Sequence, residues 1–251
     1  NIGVALMGET FMRSPNKVEK LAYLYGPTYY TPKVKMCGIS KVETIPAVVD
    51  AKPDYMSLVF APSKRQVTVD QAKTLVEELH KVYVKKYGLD TEQDKDDTIK
   101  TVGVFVNETV DNLVTIANEA NLDAVQLHGD EDETFIQSLK ERTNVEVWKA
   151  VQIRSAADVE KWIDSSADML LFDAYHKDER GGTGEVFDWS SLDAFERPFM
   201  LAGGIDSTNV ARAIRTVRPY GIDISSGIET NGVKDDEKIT AFTKIVKSIG
   251  R

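Results

Sequence analysis

From residue 33 onward the chain alternates short apolar segments with longer stretches of helical period. Eight apolar segments recur: VKMC (34–37), YMSLVF (55–60), VGVFV (102–106), AVQLH (124–128), VEVWKAV (145–151), MLLFDA (169–174), PFMLAG (198–203) and GIDISS (221–226). Between them apolar residues return every three or four positions, as at Ala72, Leu75, Val76 and Leu79, and at Val210, Ala213, Ile214 and Val217. That spacing gathers them on one helix face. Segments apolar almost throughout are strands covered on both sides, and their alternation with amphipathic helices predicts a parallel sheet. Eight βα units match an α/β fold of the (β/α)8 TIM-barrel type in number and length, with an open doubly wound sheet as the alternative.

Two regions depart from the repeat. Residues 85–99, KKYGLDTEQDKDDTI, are mostly charged and read as a solvated insertion before the third strand. Residues 1–32 read as a strand (GVALM), a turn (GET) and an amphipathic helix capped by Ser14 with Pro15 at its first position. A closed eight-stranded barrel has no place for a ninth strand. The sequence therefore predicts an N-terminal helical extension over residues 1–30 and a barrel over 31–251, with Val18, Leu21, Ala22 and Tyr25 as the apolar face of the extension.

Charge narrows the function. With 31 basic against 40 acidic residues the net charge is -9, which argues against a nucleic-acid surface and gives no overall attraction for anions. A phosphate or carboxylate must be held by local groups. Cys37 is the one cysteine, so no internal disulfide is expected, in keeping with a reducing, cytoplasmic setting. No apolar run approaches the roughly 18 residues that span a bilayer, and no membrane partner is expected. His80, His128 and His176 are too scattered for a recognisable metal spacing.

In a barrel of this type the chemistry sits at the C-terminal ends of the strands, with phosphate often held after strands 7 and 8. Strand 7 runs into LAGGIDSTNV, where Gly203 and Gly204 permit close approach and residues 206–209 open a helix whose free N–H groups suit an anion. Strand 8 runs into DISSGIETNG, offering Ser225, Ser226 and Gly227 beside them. Strand 6 ends in Asp173, a partly desolvated carboxylate suited to a general acid, followed by the glycine loop GGTG (181–184). Strand 4 places Gln126 and His128 on one side, and strand 2 leads to Lys64 and Arg65 at the same rim. Cys37 ends strand 1 and is followed at once by Gly38. Three places round an eight-membered ring from strand 6, it is expected to face Asp173 across the mouth. A lone cysteine is commonly a buried hydrophobe, but this position favours a reagent.

Taken together and in order, KMCGIS, FAPSKR, VGVFVNE, VQLHGDE, LFDAY with GGTGEVFDW, LAGGIDSTNV and DISSGIETNGVKD resemble the phosphoribosylanthranilate isomerases of tryptophan biosynthesis. The resemblance implies a cofactor-free Amadori rearrangement of N-(5'-phosphoribosyl)anthranilate to 1-(2-carboxyphenylamino)-1-deoxyribulose 5-phosphate. It implies Asp173 as the general acid that opens the ribose ring and Cys37 as the base that takes the C2' proton. Arg65 is then the cation near the anthranilate, Asp223 a substrate contact, and Gln126 and His128 line the pocket. The opening segment NIGVALMGETFMRSP resembles instead the last βα unit of indole-3-glycerol-phosphate synthase, which implies a covalent fusion of the two enzymes. The rival readings are another phosphosugar barrel of the same pathway and a silent partner of a fused synthase.

Overall fold

The structure, a computed structural model, describes residues 31–88, 98–173, 192, 195 and 197–249. Its strands are β1 (Lys33–Cys37), β2 (Tyr55–Val59), β3 (Lys100–Phe105), β4 (Ala124–Leu127), β5 (Glu146–Gln152), β6 (Met169–Asp173), β7 (Phe199–Ala202) and β8 (Gly221–Ile224). Each begins and ends within two residues of its predicted segment. They pair in parallel in chain order, and β8 closes on β1. That last pairing excludes the open sheet. Around the barrel run α1 (Ile45–Ala51), α2 (Val69–Tyr87), α3 (Val110–Glu119), α4 (Glu133–Lys140), α5 (Ala156–Glu160), α6 (Val210–Val217) and α7 (Asp236–Ile249). After β8 come a 3-10 turn, Ser226–Ile228, and a small hairpin of β9 (Glu229–Thr230) and β10 (Val233–Lys234). The N-terminal extension (1–30), the GGTG loop and His176 lie outside the described residues.

Local chemistry sets the helix ends. Thr68 and Gln71 form a reciprocal capping box at the start of α2, with Thr68 N donating to Gln71 Oε1 at 2.8 Å and Gln71 N to Thr68 Oγ1 at 3.2 Å. The helix stops at Gly88, whose φ of 66° suits a residue without Cβ. Ala72, Leu75 and Leu79 are buried as their spacing predicts, and Tyr83 extends the stripe. The expected insertion therefore starts later than residue 85. Residues 85–87 still belong to α2, and the Tyr87 hydroxyl donates to Val49 O at 3.1 Å. Ile99, at the far end of that charged range, is buried. Residues 89–97 lie outside the described residues.

The two-residue period of the strands sorts side chains into two cores. Val34 and Met36 point outward into the large cluster shared with the helices. The inner cluster is small, comprising Tyr55, Val102, Ala124, Trp148, Ala150, Met169, Leu171, Met200 and Ala202, with the Tyr55 and Trp148 rings edge to face at 4.9 Å. Lys35 pairs in register with Tyr55 and Cys37 with Ser57, so Lys35 and Cys37 also face inward. Along β4 and β6 the inward positions turn polar toward the C-terminal end: Leu171 gives way to Asp173, and Ala124 to Gln126. At the opposite face, where strands begin, Lys247 near the end of α7 donates to Lys52 O at 2.5 Å.

Candidate active site

Cys37 and Asp173 close their strands on the inward side, and β7 and β8 separate β6 from β1 round the ring. They face each other across the mouth, as the strand order predicts, and both are partly exposed. Gln126 and His128 share one side, also as predicted. Gln126 Nε2 lies 3.2 Å from His128 Nδ1, and His128 Nε2 lies 3.8 Å from Asp173 Oδ2. With the amide donating, Nδ1 is the acceptor and the ring proton sits on Nε2, on the Asp173 side. Burial lowers the His128 pKa and outweighs the opposing pull of the Asp173 carboxylate, so the ring is neutral at pH 7. Ser57 Oγ and Gln126 Oε1 are buried without a hydrogen-bond partner among the described residues.

Asp223, expected as a substrate contact, is 8% exposed, and its Oδ1 accepts from Lys35 Nζ at 3.0 Å. Lys35 is fully buried inside the barrel. Burial works to lower its pKa, but the Asp223 carboxylate and then the negative charge of a Cys37 thiolate more than offset this and hold it above its ordinary value. A protonated lysine thus lies directly beneath Cys37, two residues back on the same strand face.

Arg65 is at the rim, as expected, and the structure supplies a partner that the sequence did not reveal. Its Nε and Nη2 donate to the two oxygens of Glu229 at 2.5 and 2.9 Å. Lys64 and Lys234 each lie 3.1 Å from the same carboxylate. Although desolvation by burial opposes ionisation, these cations, Arg65 foremost, hold the Glu229 pKa down at about 2. Lys234 also donates to Ser225 O at 2.8 Å. Gly38, the residue after Cys37, makes room for the Arg65 stem. Its φ is 76°, and a Cβ there would fall 2.4 Å from Arg65 Cδ.

The ends of β7 and β8 meet, as predicted for a phosphate cradle. Gly203 and Gly204 have φ of 96° and 60°, and a Cβ on Gly227 would lie 2.3 Å from Ile205 O. Two details differ from expectation. The Ser225 hydroxyl donates to Cys37 O at 3.3 Å, so it is turned toward β1. The turn that leads into α6 holds most of its own amides: Thr208 N and Asn209 N donate to Asp206 Oδ1 at 2.7 and 3.2 Å, and Asp206 N donates to Asn209 Oδ1 at 3.0 Å. Aspartate and asparagine have capped their own turn. Among the described residues, the amides of Gly203, Gly204, Ser226 and Gly227 are engaged by no side chain or turn.

A third ionic bracket lies behind β4. Glu131 accepts from Asn107 N at 2.7 Å, Gly129 N at 2.8 Å and Lys149 Nζ at 2.9 Å, with Glu131 and Lys149 both buried. Gly129 is required, since a Cβ would lie 2.3 Å from Asn107 Oδ1. This bracket ties VNE to HGDE and fixes the segment that follows His128. Sequence reasoning missed Lys35, Glu131, Lys149, Glu229 and Lys234. For Lys35 half of a signal existed: a lysine at an inward barrel position needs a buried anion, but only the register of β1 on β8 identifies it as Asp223.

Among known proteins, residues 34–245 match the family described as N-(5'phosphoribosyl)anthranilate (PRA) isomerase. An N-(5'-phosphoribosyl)anthranilate isomerase of a Thermoanaerobacter species is 44% identical over 219 residues, covering 86% of this chain and 98% of the relative. The enzyme of that name from Endomicrobium trichonymphae is 43% identical and is covered completely. Phosphoribosyl anthranilate isomerase from Thermotoga maritima superposes with a TM-score of 0.71 at 34% identity, over 86% of this chain and 99% of that one. A phosphoribosyl anthranilate isomerase solved with reduced 1-(o-carboxyphenylamino)-1-deoxyribulose 5-phosphate gives 0.69 at 32% identity, over the same shares of the two chains. With its closed barrel and its Cys37 and Asp173 strand ends, the chain belongs to the N-(5'-phosphoribosyl)anthranilate isomerase family.

Proposed function

We infer that this chain is an isomerase of tryptophan biosynthesis, converting N-(5'-phosphoribosyl)anthranilate to 1-(2-carboxyphenylamino)-1-deoxyribulose 5-phosphate. The observation that carries the mechanism is the placement of one thiol and one carboxylate at inward strand ends on opposite sides of the mouth. Asp173 gives a proton to the furanose ring oxygen, and the ring C1'–O bond breaks to leave a protonated Schiff base. Cys37 removes the C2' proton, giving an enolamine that becomes the ketose. Substrate and product have the same atoms, so one acid and one base are sufficient. Neutral His128, with its Nε2 proton toward Asp173, steadies that carboxylate once its proton has gone. The free amides at Gly203, Gly204, Ser226 and Gly227 hold the phosphate, with Ser225 contributing backbone only. Arg65 holds the anthranilate carboxylate, and Asp223 supports the floor through Lys35.

Turnover followed by loss of substrate fluorescence tests this reading. Cys37→Ser and Asp173→Asn are expected to lower kcat on the order of 10²- to 10⁴-fold with the fold intact. A Cys37→Ser protein that melts early but turns over normally would return the thiol to a packing role. The fusion to indole-3-glycerol-phosphate synthase and a cytoplasmic location complete the reading. The first rests on the resemblance of residues 1–15 alone, since the barrel by itself matches its relatives nearly whole. Deleting residues 1–28 should leave kcat unchanged; a folded truncation without activity would contradict this division.

A further inference from the structure

Glu229 has no assigned part in the reaction, yet three cations converge on it. It is an acid 5% exposed at the rim of the candidate site, bonded by Arg65, Lys64 and Lys234. Arg65 uses Nε and Nη2 on it, the side edge of the guanidinium. Of the five N–H donors of an arginine, three are left over, two on Nη1 and one on Nη2. No other group takes them among the described residues. The stem of Arg65 packs over Gly38, where an added Cβ would fall 2.4 Å from its Cδ. A guanidinium held by one edge keeps its other edge for a further acceptor at the rim, where its stem lies against Gly38, the residue after Cys37.

We propose that Glu229 is a positioning residue: it clamps one edge of the Arg65 guanidinium so that the remaining edge is preset to receive the carboxylate of the substrate's anthranilate ring. This rests on the reading of Arg65 given above. Preorganisation of this kind contributes by removing the ordering cost of a long side chain at the moment of binding, and a bidentate match of guanidinium to carboxylate is sensitive to orientation. Glu229 stays ionised across the whole working range, because its pKa is near 2, so the clamp does not switch with pH.

The proposal has a sign that simple charge does not share. Three cations and one anion leave two positive charges at the rim; Glu229→Gln would leave three. If Glu229 acted only as a charge, removing it would tighten anion binding. As a clamp, removing it loosens Arg65 and weakens binding. We expect Glu229→Gln to raise KM roughly tenfold or more, with kcat changed much less, and Glu229→Asp to recover part of the loss. Binding of reduced 1-(o-carboxyphenylamino)-1-deoxyribulose 5-phosphate should weaken by a similar factor. Its counterpart lacking the ring carboxylate should bind both proteins alike. In an Arg65→Ala background the Glu229→Gln change should add nothing to KM, although Lys64 and Lys234 still reach position 229. A lower or unchanged KM in Glu229→Gln, or a further loss in the Arg65→Ala background, overturns the clamp. If instead wild type binds both analogues equally, the assignment of Arg65 to the carboxylate is wrong, and the Arg65→Ala comparison still decides whether Glu229 acts through it.

Discussion

Replacing Gly227 by alanine tests the phosphate cradle through a contact of known size. The new Cβ would lie 2.3 Å from Ile205 O and 3.0 Å from Asp206 Cα, both backbone atoms that no rotamer change can move. Ordinary contact begins near 3.4 Å, so the loops after β7 and β8 must separate by 3.4 − 2.3, or about 1.1 Å. Overpacking of this kind costs about 1–3 kcal/mol, and for a domain of this size each kcal/mol lowers Tm by roughly 2–4 °C. A shift of about 1 Å in a binding group can cost on the order of 10²-fold in activity. We expect kcat/KM to fall between roughly tenfold and a hundredfold, chiefly through KM, and binding of the product analogue to weaken in step. The matched control is Gly221→Ala, whose Cβ would lie 2.6 Å from Met200 Sδ at the far end of β8. Met200 can yield but Lys33 Cβ, 2.9 Å from the new atom, cannot swing away, so this change should lower Tm by a comparable amount and leave KM alone. Steady-state kinetics beside thermal melts of both variants decide the matter. If Gly227→Ala melts early and keeps its KM, phosphate is bound elsewhere.

Other expectations follow from the ionic brackets. The pKa of Glu229 is depressed from 4.5 to about 2, so its stabilisation is fully present above about pH 4.5 and is lost as pH falls toward 2. The gain is at most ~3 kcal/mol, and acid unfolding of Glu229→Gln should be correspondingly shallower between those pH values. Lys149→Met leaves the Glu131 carboxylate buried without its cation, a loss of about 3–5 kcal/mol; the double change with Glu131→Gln should melt higher than the single one. In Asp173→Asn the His128 pKa should fall further below its ordinary value, since the carboxylate is what raises it. NMR titration of the ring checks this, and an unmoved pKa would mean that Asp173 is already uncharged there.

The barrel was legible because its strands are buried on both faces, which writes each of them as an apolar run too short for a helix, repeated eight times between amphipathic stretches. MLLFD and FMLA needed nothing else. The strand-end positions of Cys37 and Asp173 were legible by counting along the chain. The ionic brackets were not. Arg65 and Glu229 are 164 residues apart and Lys35 and Asp223 188 apart, and no local pattern announces which lysine meets which acid. Only the register of β1 on β8, with Lys35 opposite Asp223, brings the second pair together. The start of α6 was misread for a different reason. Its residues suit an anion site and a self-capping turn equally well, and the side chains chose their own amides.

The closure of β8 on β1 also fixes where a chain can be extended. The polypeptide enters β1 at Lys33, paired with Gly221, on the face where strands begin. It leaves along α7, whose final turn is tied by Lys247 to Lys52 on that same face. Both ends of the barrel thus emerge behind it, the full length of the strands from Cys37 and Asp173. A linker spliced to either end therefore starts at the back, away from the mouth. A circular permutant joining the two ends by a short linker and reopening at the exposed turn near residue 121 or residue 142, where helices return to the strand starts, would be a direct demonstration that this enzyme's working face is independent of where its gene begins.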